Sequence, residues 1–287
     1  MAMPGPLTEL LEQLDLTALD DDLYLGDPGT GEGRLFGGHV AAQSLLAAGR
    51  TVSGVVVHSL HAYFLRPGRH DVPIRFVVDR IRDGRTFTTR HVVAYQGGEA
   101  IFDLSVSFTH VEPGIEHQDA MPEAPSPDGL PEWEEVRGAA LRDPALRRPE
   151  GAIEIRAVDP DEPGVVQPPH RRIWIRPAGV LPDDPLFHAA AMLYASDRTL
   201  LSTAARPHGL TWGRRMAASL DHAMWFHSVP RFDDWLLYYS ESPVARSARG
   251  LIYGSMYARD GVRVASVVQE GLIRTARDSS AGERPER

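Results

Sequence analysis

One aspartate lies in a stretch of small and apolar residues, MLYASDRTLL at positions 192–201, where an apolar side chain would be expected. Asp184 followed by Pro185 is a typical helix start, because aspartate caps the first turn and proline fits the first helical position. From that start, positions spaced by i, i+4, i+7 and i+11 fall on one helical face. They are Leu186, Ala190, Leu193 and Asp197. The carboxyl group of Asp197 is therefore expected to project from an apolar face.

A carboxylate in such a place has three alternative roles. It can end the helix and turn to solvent, it can pair with the adjacent Arg198, or it can act as a general base that accepts a proton. Buried acids are rare unless they are paired or used. We therefore treat Asp197 as a candidate catalytic base.

Two polar side chains further along the chain could assist such a base. In VRVASVVQEGLI (262–273), strand alternation places Gln269 on the same face as Ala265 and Val267. A glutamine among small apolar neighbours is either a hydrogen-bonded core amide or a group that holds a water molecule. Ser219 lies in another strand-like run, where serines are commonly inert, so it is a candidate only together with other groups.

Histidines are the alternative bases. His58 and His61 are three residues apart in HSLHAYF, so in a strand they point to opposite faces and cannot form one metal or catalytic pair. The adjacent Asp221 and His222 diverge in a strand in the same way and are not expected to form a dyad. We interpret these histidines as structural or surface residues.

An anionic ligand would be bound by arginines and backbone amides. Arg246 and Arg249, in SPVARSARG, lie on a connection between strands, where a guanidinium can bind phosphate; surface solubility is the alternative interpretation. The Gly-rich segment at 26–38 lacks the lysine and Ser/Thr of a P-loop. We expect Gly37 and Gly38 to open a helix at which bare backbone can approach a ligand. The sequence has no GxSxG or HExxH motif, which argues against a serine-hydrolase elbow and a zincin site.

The elements that would carry these residues occur twice in a similar order. A helix of small residues at 37–49 is followed by strand-like runs at 55–66, 72–81, 86–96 and 99–108. A second helix at 184–197 is followed by runs at 216–227, 234–242, 250–258 and 262–273. Each half is thus an α+β unit, and a helix of Ala and Gly fits where a curved sheet wraps around it. We predict a tandem (double) hotdog, each half an antiparallel sheet around a long central helix.

This repeat defines the predicted domains. They are an N-terminal hotdog at 1–111, a linker at 112–150, a C-terminal hotdog with the catalytic residues at 151–274, and a disordered tail at 275–287. Only the second half has an acid like Asp197, so we expect one active site per chain, with the first half shaping the substrate channel. Exposed edge strands in both halves lead us to expect a homo-oligomer.

Composition narrows the classes of function. The net charge is -9, and all 30 basic residues are arginine because the sequence contains no lysine. A P-loop or Schiff-base lysine is therefore excluded, and binding to nucleic acid is not expected. With no cysteine, the chain has no disulfide, thiolate nucleophile or cysteine metal site. It also has no apolar run long enough to span a membrane. We expect a cytoplasmic protein.

Six motifs carry a resemblance to a known family. LFGGHVAAQSLLAA, HSLHAYFLRPG, YASD, SLDHAMWFH, WLLYYSESPVARSARG and VASVVQEGLIR, in this order, resemble those of the acyl-CoA thioesterase II family, whose members are double-hotdog enzymes. The resemblance spans approximately residues 20–274. It implies hydrolysis of acyl-CoA to a free fatty acid and CoA, without a metal, a cofactor or a covalent intermediate.

The resemblance also implies a set of catalytic residues. They are Asp197 of YASD, Ser219 two residues before the Asp-His pair, and Gln269 of VQEG. The family usually has threonine in place of Ser219, so the hydroxyl is kept while the methyl that stiffens the rotamer is lost. His39 stands where the family has glutamine and is not expected to be catalytic. In the implied chemistry a carboxylate takes the proton of a water that the hydroxyl and the amide hold, and a backbone N–H at a helix start stabilises the oxyanion.

Two other functions remain as alternatives. Hotdog enoyl-CoA hydratases and dehydratases also act on acyl thioesters, using an aspartate with a histidine. On the helix of Asp197 only His188 could serve, nine residues earlier and turned in a different direction. A non-catalytic acyl-CoA-binding protein is the third hypothesis, which the presence of all three polar groups disfavours.

Overall fold

The computed structural model describes residues 5–141, 151–162, 164–210 and 215–275. Within these ranges the chain forms α1 (Pro6–Leu14), α2 (Gly37–Gly49), α3 (Trp133–Leu141), α4 (Pro185–Ser196) and α5 (Leu200–Thr203), with a 3₁₀ turn at Arg206–His208. None of these helices combines the length and the apolar character that crossing a bilayer requires.

The strands form one continuous antiparallel sheet. They are β1 (Thr17–Asp20), β2 (Leu23–Gly26), β3 (Val56–Phe64), β4 (Ile74–Asp83), β5 (Phe87–Gln96), β6 (Glu99–Thr109), β7 (Ile153–Ala157), β8 (His170–Pro177), β9 (Arg215–Ser219), β10 (Asp221–Phe226), β11 (Leu236–Arg246), β12 (Arg249–Ala258) and β13 (Arg263–Thr275). Their order across the sheet is β1-β2-β4-β5-β6-β3-β10-β13-β12-β11-β8-β7, and β9 extends the pairing of β13.

The two halves of the chain meet at β3 and β10. These strands pair antiparallel, and Ala62 lies opposite His222 in their register. Strands β1–β6 belong to the first half and β7–β13 to the second, so one sheet runs across both halves. This pairing joins the strands of the two halves into one sheet.

Helices α2 and α4 pack against each other and against strands of the sheet. They approach so closely that a Cβ on Gly49 would lie 2.3 Å from a Leu186 methyl carbon. Both helices are buried on nearly every side, including all residues of α2 from Gly38 to Ala48. This packing explains their content of Ala and Gly, because small side chains leave room for neighbours on all faces. The fold is a double hotdog, as the sequence predicts.

The structure adds elements that the sequence did not predict. Strands β1 and β2 precede α2, and β7 and β8 precede α4. The two buried helices have 13 and 12 residues, so a long central helix in each half is not confirmed. Within the predicted linker, α3 forms at its centre. The predicted tail lies outside the described residues apart from Thr275, which ends β13.

Candidate active site

Asp197 follows directly on the last residue of α4. The side chain of Asp184 accepts a hydrogen bond from the Leu186 backbone N–H, and Pro185 is the first helical residue, so the predicted helix start is confirmed. Asp197 is the residue that caps the other end. Arg198 turns away from it, since its Nη2 donates to Glu134 Oε1 at 3.1 Å. Arg198 therefore does not pair with Asp197.

A serine and a glutamine from the second half of the chain meet at the carboxyl group of Asp197. Ser219 Oγ donates a hydrogen bond to Asp197 Oδ1 at 2.8 Å. Gln269 Nε2 donates to the same oxygen at 3.2 Å and to Ser219 Oγ at 2.7 Å. The three residues thus form one hydrogen-bonded cluster, although 72 residues separate Asp197 from Gln269.

Ser219 reaches this cluster because its strand is irregular at Leu220. In the pairing with β13, Ser219 lies opposite Gly271, whereas Ala223 lies opposite Val268. The register therefore shifts by one residue between β9 and β10, which is the effect of a β-bulge. The sequence predicted one uninterrupted strand at 216–227, and strict alternation would have placed Ser219 and Asp221 on the same face. Instead Ser219 contacts Asp197, while Asp221 accepts a hydrogen bond from the Glu270 backbone N–H.

The first half of the chain contributes the start of α2. The backbone N–H of Gly38 donates a hydrogen bond to Asp197. A Cβ on Gly37 would lie 2.9 Å from Asp197 Oδ2 and 2.5 Å from Phe64 Cε1, so the bare backbone is needed for this approach. The partial positive charge at a helix N-terminus also favours a carboxylate there. The expectation that Gly37 and Gly38 open the first helix is confirmed; their contact with substrate stays a prediction.

His222 lies behind Gln269 and is a residue that the sequence interpretation missed. It is 1% exposed. Its Nδ1 is 2.7 Å from Gln269 Oε1, and its Nε2 is 2.9 Å from Ser196 Oγ. As predicted, it forms no dyad with Asp221, which faces the other way. The available signal was the alternation of β10 and β13, which turns His222 and Gln269 to the same side of the sheet.

The enclosed position of the cluster changes its ionisation. Burial raises the pKa of Asp197 above its ordinary value, although the charge of His222 and the hydrogen bonds from Ser219, Gln269 and Gly38 oppose that rise. The residue as a whole is half-buried. Burial also lowers the pKa of His222. An aspartate with a raised pKa is a stronger base than an ordinary one and suits proton transfer near neutral pH.

The three histidines of the first half that the sequence analysis considered lie in other contacts. His58 Nε2 is 2.8 Å from Ser107 Oγ. The ring of His61 is exposed and packs edge-on against Trp225 at 5.2 Å between centroids. His39 Nε2 donates to the Asp27 carbonyl oxygen at 2.8 Å, a contact that ties the start of α2 to the preceding loop. These positions agree with the interpretation of the histidines as structural or surface residues.

Arg246 and Arg249 flank the hairpin between β11 and β12. The two residues between them, Ser247 and Ala248, have φ values of 52° and 58°, the left-handed geometry of a tight two-residue turn. Both arginines are exposed, and Arg249 Nε donates to Glu270 Oε1 at 2.9 Å. Arg249 lies opposite Leu272, three residues beyond Gln269 on β13, or about 10 Å along the strand. Phosphate binding by the two arginines stays a prediction.

Comparisons with known proteins match both halves of the chain to one family. A family model described as acyl-CoA thioesterase matches residues 152–272, and a model of the acyl-CoA thioesterase N-terminal domain matches residues 27–109. Acyl-coenzyme A thioesterase 8 of Mus musculus is 41% identical over 91% of this chain and 87% of its own length. Acyl-CoA thioesterase 2 of Haemophilus influenzae is 33% identical over 95% of this chain and 99% of its own.

A solved structure extends the similarity to three dimensions. The crystal structure of an acyl-CoA thioesterase II from Mycobacterium marinum has a TM-score of 0.78 and 40% identity, covering 96% of this chain and 99% of that one. The matching models cover both halves, and the identity exceeds 30% over nearly the whole chain. The chain belongs to the acyl-CoA thioesterase II family and is a thioester hydrolase.

Proposed function

We propose that the protein hydrolyses acyl-CoA thioesters to a carboxylic acid and free CoA by direct attack of water, with Asp197 as the general base. The observation that carries this proposal is the convergence of three donors on one enclosed carboxyl group. Ser219 and Gln269 come from the second half, and the Gly38 N–H comes from the first. Such a group is held in place and has a raised proton affinity, as a base requires.

The proposed step balances without a metal or a covalent intermediate. As the water oxygen forms a bond with the thioester carbonyl carbon, one water proton passes to Asp197. The tetrahedral intermediate then collapses, the carbon–sulfur bond breaks, and the leaving thiolate takes the proton back from Asp197. The products are the acid and the CoA thiol, and Asp197 is again ionised.

Ser219 and Gln269 would hold the attacking water. A hydroxyl both donates and accepts, and a primary amide offers two N–H donors. In the structure these protons go to Asp197 Oδ1 and Ser219 Oγ, so a water beside Asp197 would take over one of these hydrogen bonds and accept or donate in its place. The Ser219 and Gln269 side chains also bond to each other at 2.7 Å, which limits the rotation of each. The oxyanion would be stabilised by a backbone N–H at the start of α2, where the helix dipole favours negative charge. Gly37 is the candidate, because the Gly38 N–H already donates to Asp197.

Arg246 and Arg249 are the proposed ligands of the CoA phosphates. Their hairpin joins the end of β11 to the start of β12. It lies beside the part of β13 that follows Gln269. An extended CoA molecule with its thioester at Asp197 would need a cationic group at some distance from the carboxylate. Arg249 is already paired with Glu270, so Arg246 is the better candidate for a phosphate.

The hydratase alternative would need a histidine beside Asp197 that can touch substrate. His222 is close to the cluster, but it is 1% exposed and both of its ring nitrogens are already hydrogen-bonded. His188 is buried too, and its Nδ1 accepts the Phe232 backbone N–H at 2.9 Å. Neither histidine is placed as the second catalytic group of a lyase. A location in the cytoplasm and self-association remain predictions from the sequence.

Turnover in H₂¹⁸O tests the water-attack proposal. We expect thiol release from acyl-CoAs, one ¹⁸O atom in each acid molecule, and no label in the tryptic peptide that ends at Arg198. Label in the Asp197 carboxyl group would show a covalent anhydride and overturn direct attack. Tight binding of acyl-CoA without any thiol release would support the non-catalytic alternative, and addition of water to an enoyl-CoA would support the hydratase.

A further inference from the structure

We propose that His222 is a positioning residue, which fixes the orientation of the Gln269 side-chain amide toward Asp197 and Ser219. The inference rests on the proposed function of that cluster and adds a fourth residue to it. His222 does not contact the carboxyl group of Asp197 through a hydrogen bond of its own. Its effect would pass through Gln269, whose Oε1 is 2.7 Å from His222 Nδ1.

The geometry follows from the register of four strands. Leu104, Ala62 and His222 lie opposite one another on β6, β3 and β10. One step beyond the Ala223–Val268 pair, the same register sets His222 opposite Gln269 on β13. All four side chains of this row are buried. The first half contributes Leu104 and Ala62 to this row, whereas the second half contributes a histidine and a glutamine.

The hydrogen bonds determine which way the amide points. An ionised carboxylate only accepts hydrogen bonds, so the Gln269 group that faces Asp197 must be the NH₂ group. Gln269 Oε1 then faces His222 and can only accept, and His222 Nδ1 must carry a proton. Were His222 unable to donate there, the amide could rotate by half a turn and direct its oxygen at Asp197. Two acceptors would then face each other, which is unfavourable.

Ser196 holds the other side of the histidine ring. His222 Nε2 is 2.9 Å from Ser196 Oγ, and Ser196 Oγ is also 2.8 Å from the Leu193 carbonyl oxygen. With a neutral ring, the hydroxyl donates to Nε2; with a protonated ring, Nε2 donates to the hydroxyl, which donates to Leu193. In both states Nδ1 keeps its proton. The donor to Gln269 is therefore retained in either charge state of the ring.

A matched pair of substitutions separates positioning from simple filling of the core. In His222→Asn the side-chain nitrogen takes approximately the place of Nδ1 and can still donate to Gln269. In His222→Gln the nitrogen takes approximately the place of Nε2 and reaches Ser196 instead. Both variants are polar amides in the same buried position, so the loss of the imidazole is common to them.

Steady-state thiol release by the two variants tests the proposal. We expect the kcat of His222→Gln to fall by about 10-fold or more, the effect of losing one hydrogen bond to a working group, with little change in KM. We expect His222→Asn to keep most of the wild-type kcat. Equal losses in the two variants would overturn the positioning role, as would wild-type kcat in His222→Gln.

A double-mutant cycle provides the second measurement. In a Gln269→Ala background, His222→Gln should change kcat by less than about twofold, because the amide it positions is gone. If the fold-losses in kcat of the two single substitutions multiply in the double variant, the proposal is contradicted. If Gln269→Ala and Asp197→Asn alone retain full activity, the proposed function of the cluster fails. If they are impaired while His222→Gln is not, only the role of His222 fails.

Discussion

The Ser219 hydroxyl lies 2.8 Å from Asp197 Oδ1 because the strand that carries it is bulged at Leu220. The bulge lets Ser219 and His222 face the same interior, although three residues separate them and regular alternation would turn them apart. One extra residue in the strand thus brings a hydroxyl to the carboxylate. The bulge is therefore required to place Ser219 in the candidate active site.

The hydroxyl of Ser219 should matter more than its exact side chain. Ser219→Ala removes the hydrogen bond to Asp197, and we expect kcat to fall by about 10-fold or more. Ser219→Thr keeps the hydroxyl and should retain activity close to wild type. Ser59→Ala, the aligned serine of the first half, is the control and should leave thiol release unchanged. Wild-type kcat in Ser219→Ala would exclude a role for the hydroxyl.

The start of α2 should tolerate no side chain at Gly38. A Cβ there would lie 2.6 Å from Phe36 Cε1 and 2.8 Å from the Tyr194 carbonyl oxygen, so the backbone must move and its N–H must leave Asp197. We expect Gly38→Ala to lower kcat by about 10-fold or more. Gly114→Ala has no atom within 4 Å of the new Cβ and is the matched control. Equal kcat in the two variants would contradict the proposed role of this N–H.

The raised pKa of Asp197 predicts that the working carboxylate costs stability. Because the folded chain holds this proton more tightly than the unfolded chain, the resulting stabilisation is full below the ordinary aspartate pKa and is lost as pH rises through the folded-state pKa. Asp197→Asn undergoes no such loss. Its free energy of unfolding relative to wild type should therefore increase with pH, as measured by urea denaturation from acid to pH 8. A difference that decreases as pH rises would mean that the pKa is lowered.

The same ionisation sets the pH dependence of activity. The base must be ionised to accept a proton, so kcat should rise as pH increases through the pKa of Asp197. The midpoint of that acid limb should lie above the ordinary value for aspartate, because burial raises this pKa. Measuring kcat against pH with a saturating acyl-CoA gives the midpoint. A limb at or below the ordinary value would be inconsistent with Asp197 as an enclosed base.

Binding of the CoA phosphates should depend more on Arg246 than on Arg249. Both arginines are exposed on the same hairpin, and Arg249 is already paired with Glu270. We expect Arg246→Ala to raise KM with kcat little changed, and the effect to shrink at high salt because exposed charges are screened. Arg249→Ala is the matched comparison and should raise KM less. Unchanged KM in both variants would contradict binding of the CoA phosphates by this hairpin.

Local patterns in the sequence predicted part of this site, and tertiary structure supplied the rest. Capping residues and spacing predicted α4 with Asp197 at its end, and alternation correctly turned Gln269 toward the interior. The inward face of Ser219 depends on a bulge that carries no glycine or other local signal. Divergence from Asp221 in a strand argues against a dyad for His222, and its hydrogen-bond partner is instead Gln269 on a neighbouring strand. Strand register determines such contacts, and a single sequence does not reveal it.

The most direct test is thiol release by Asp197→Asn, compared with wild type and with Asp221→Asn. Asp221 lies next to the bulge that follows Ser219, but it faces away from the cluster and accepts the Glu270 backbone N–H. Its substitution therefore controls for the loss of a nearby charge. If Asp197 is the base, kcat of Asp197→Asn falls by about 10²-fold or more on acyl-CoAs of every chain length that wild type accepts, while Asp221→Asn remains active. Undiminished turnover by a folded Asp197→Asn would contradict the proposed mechanism.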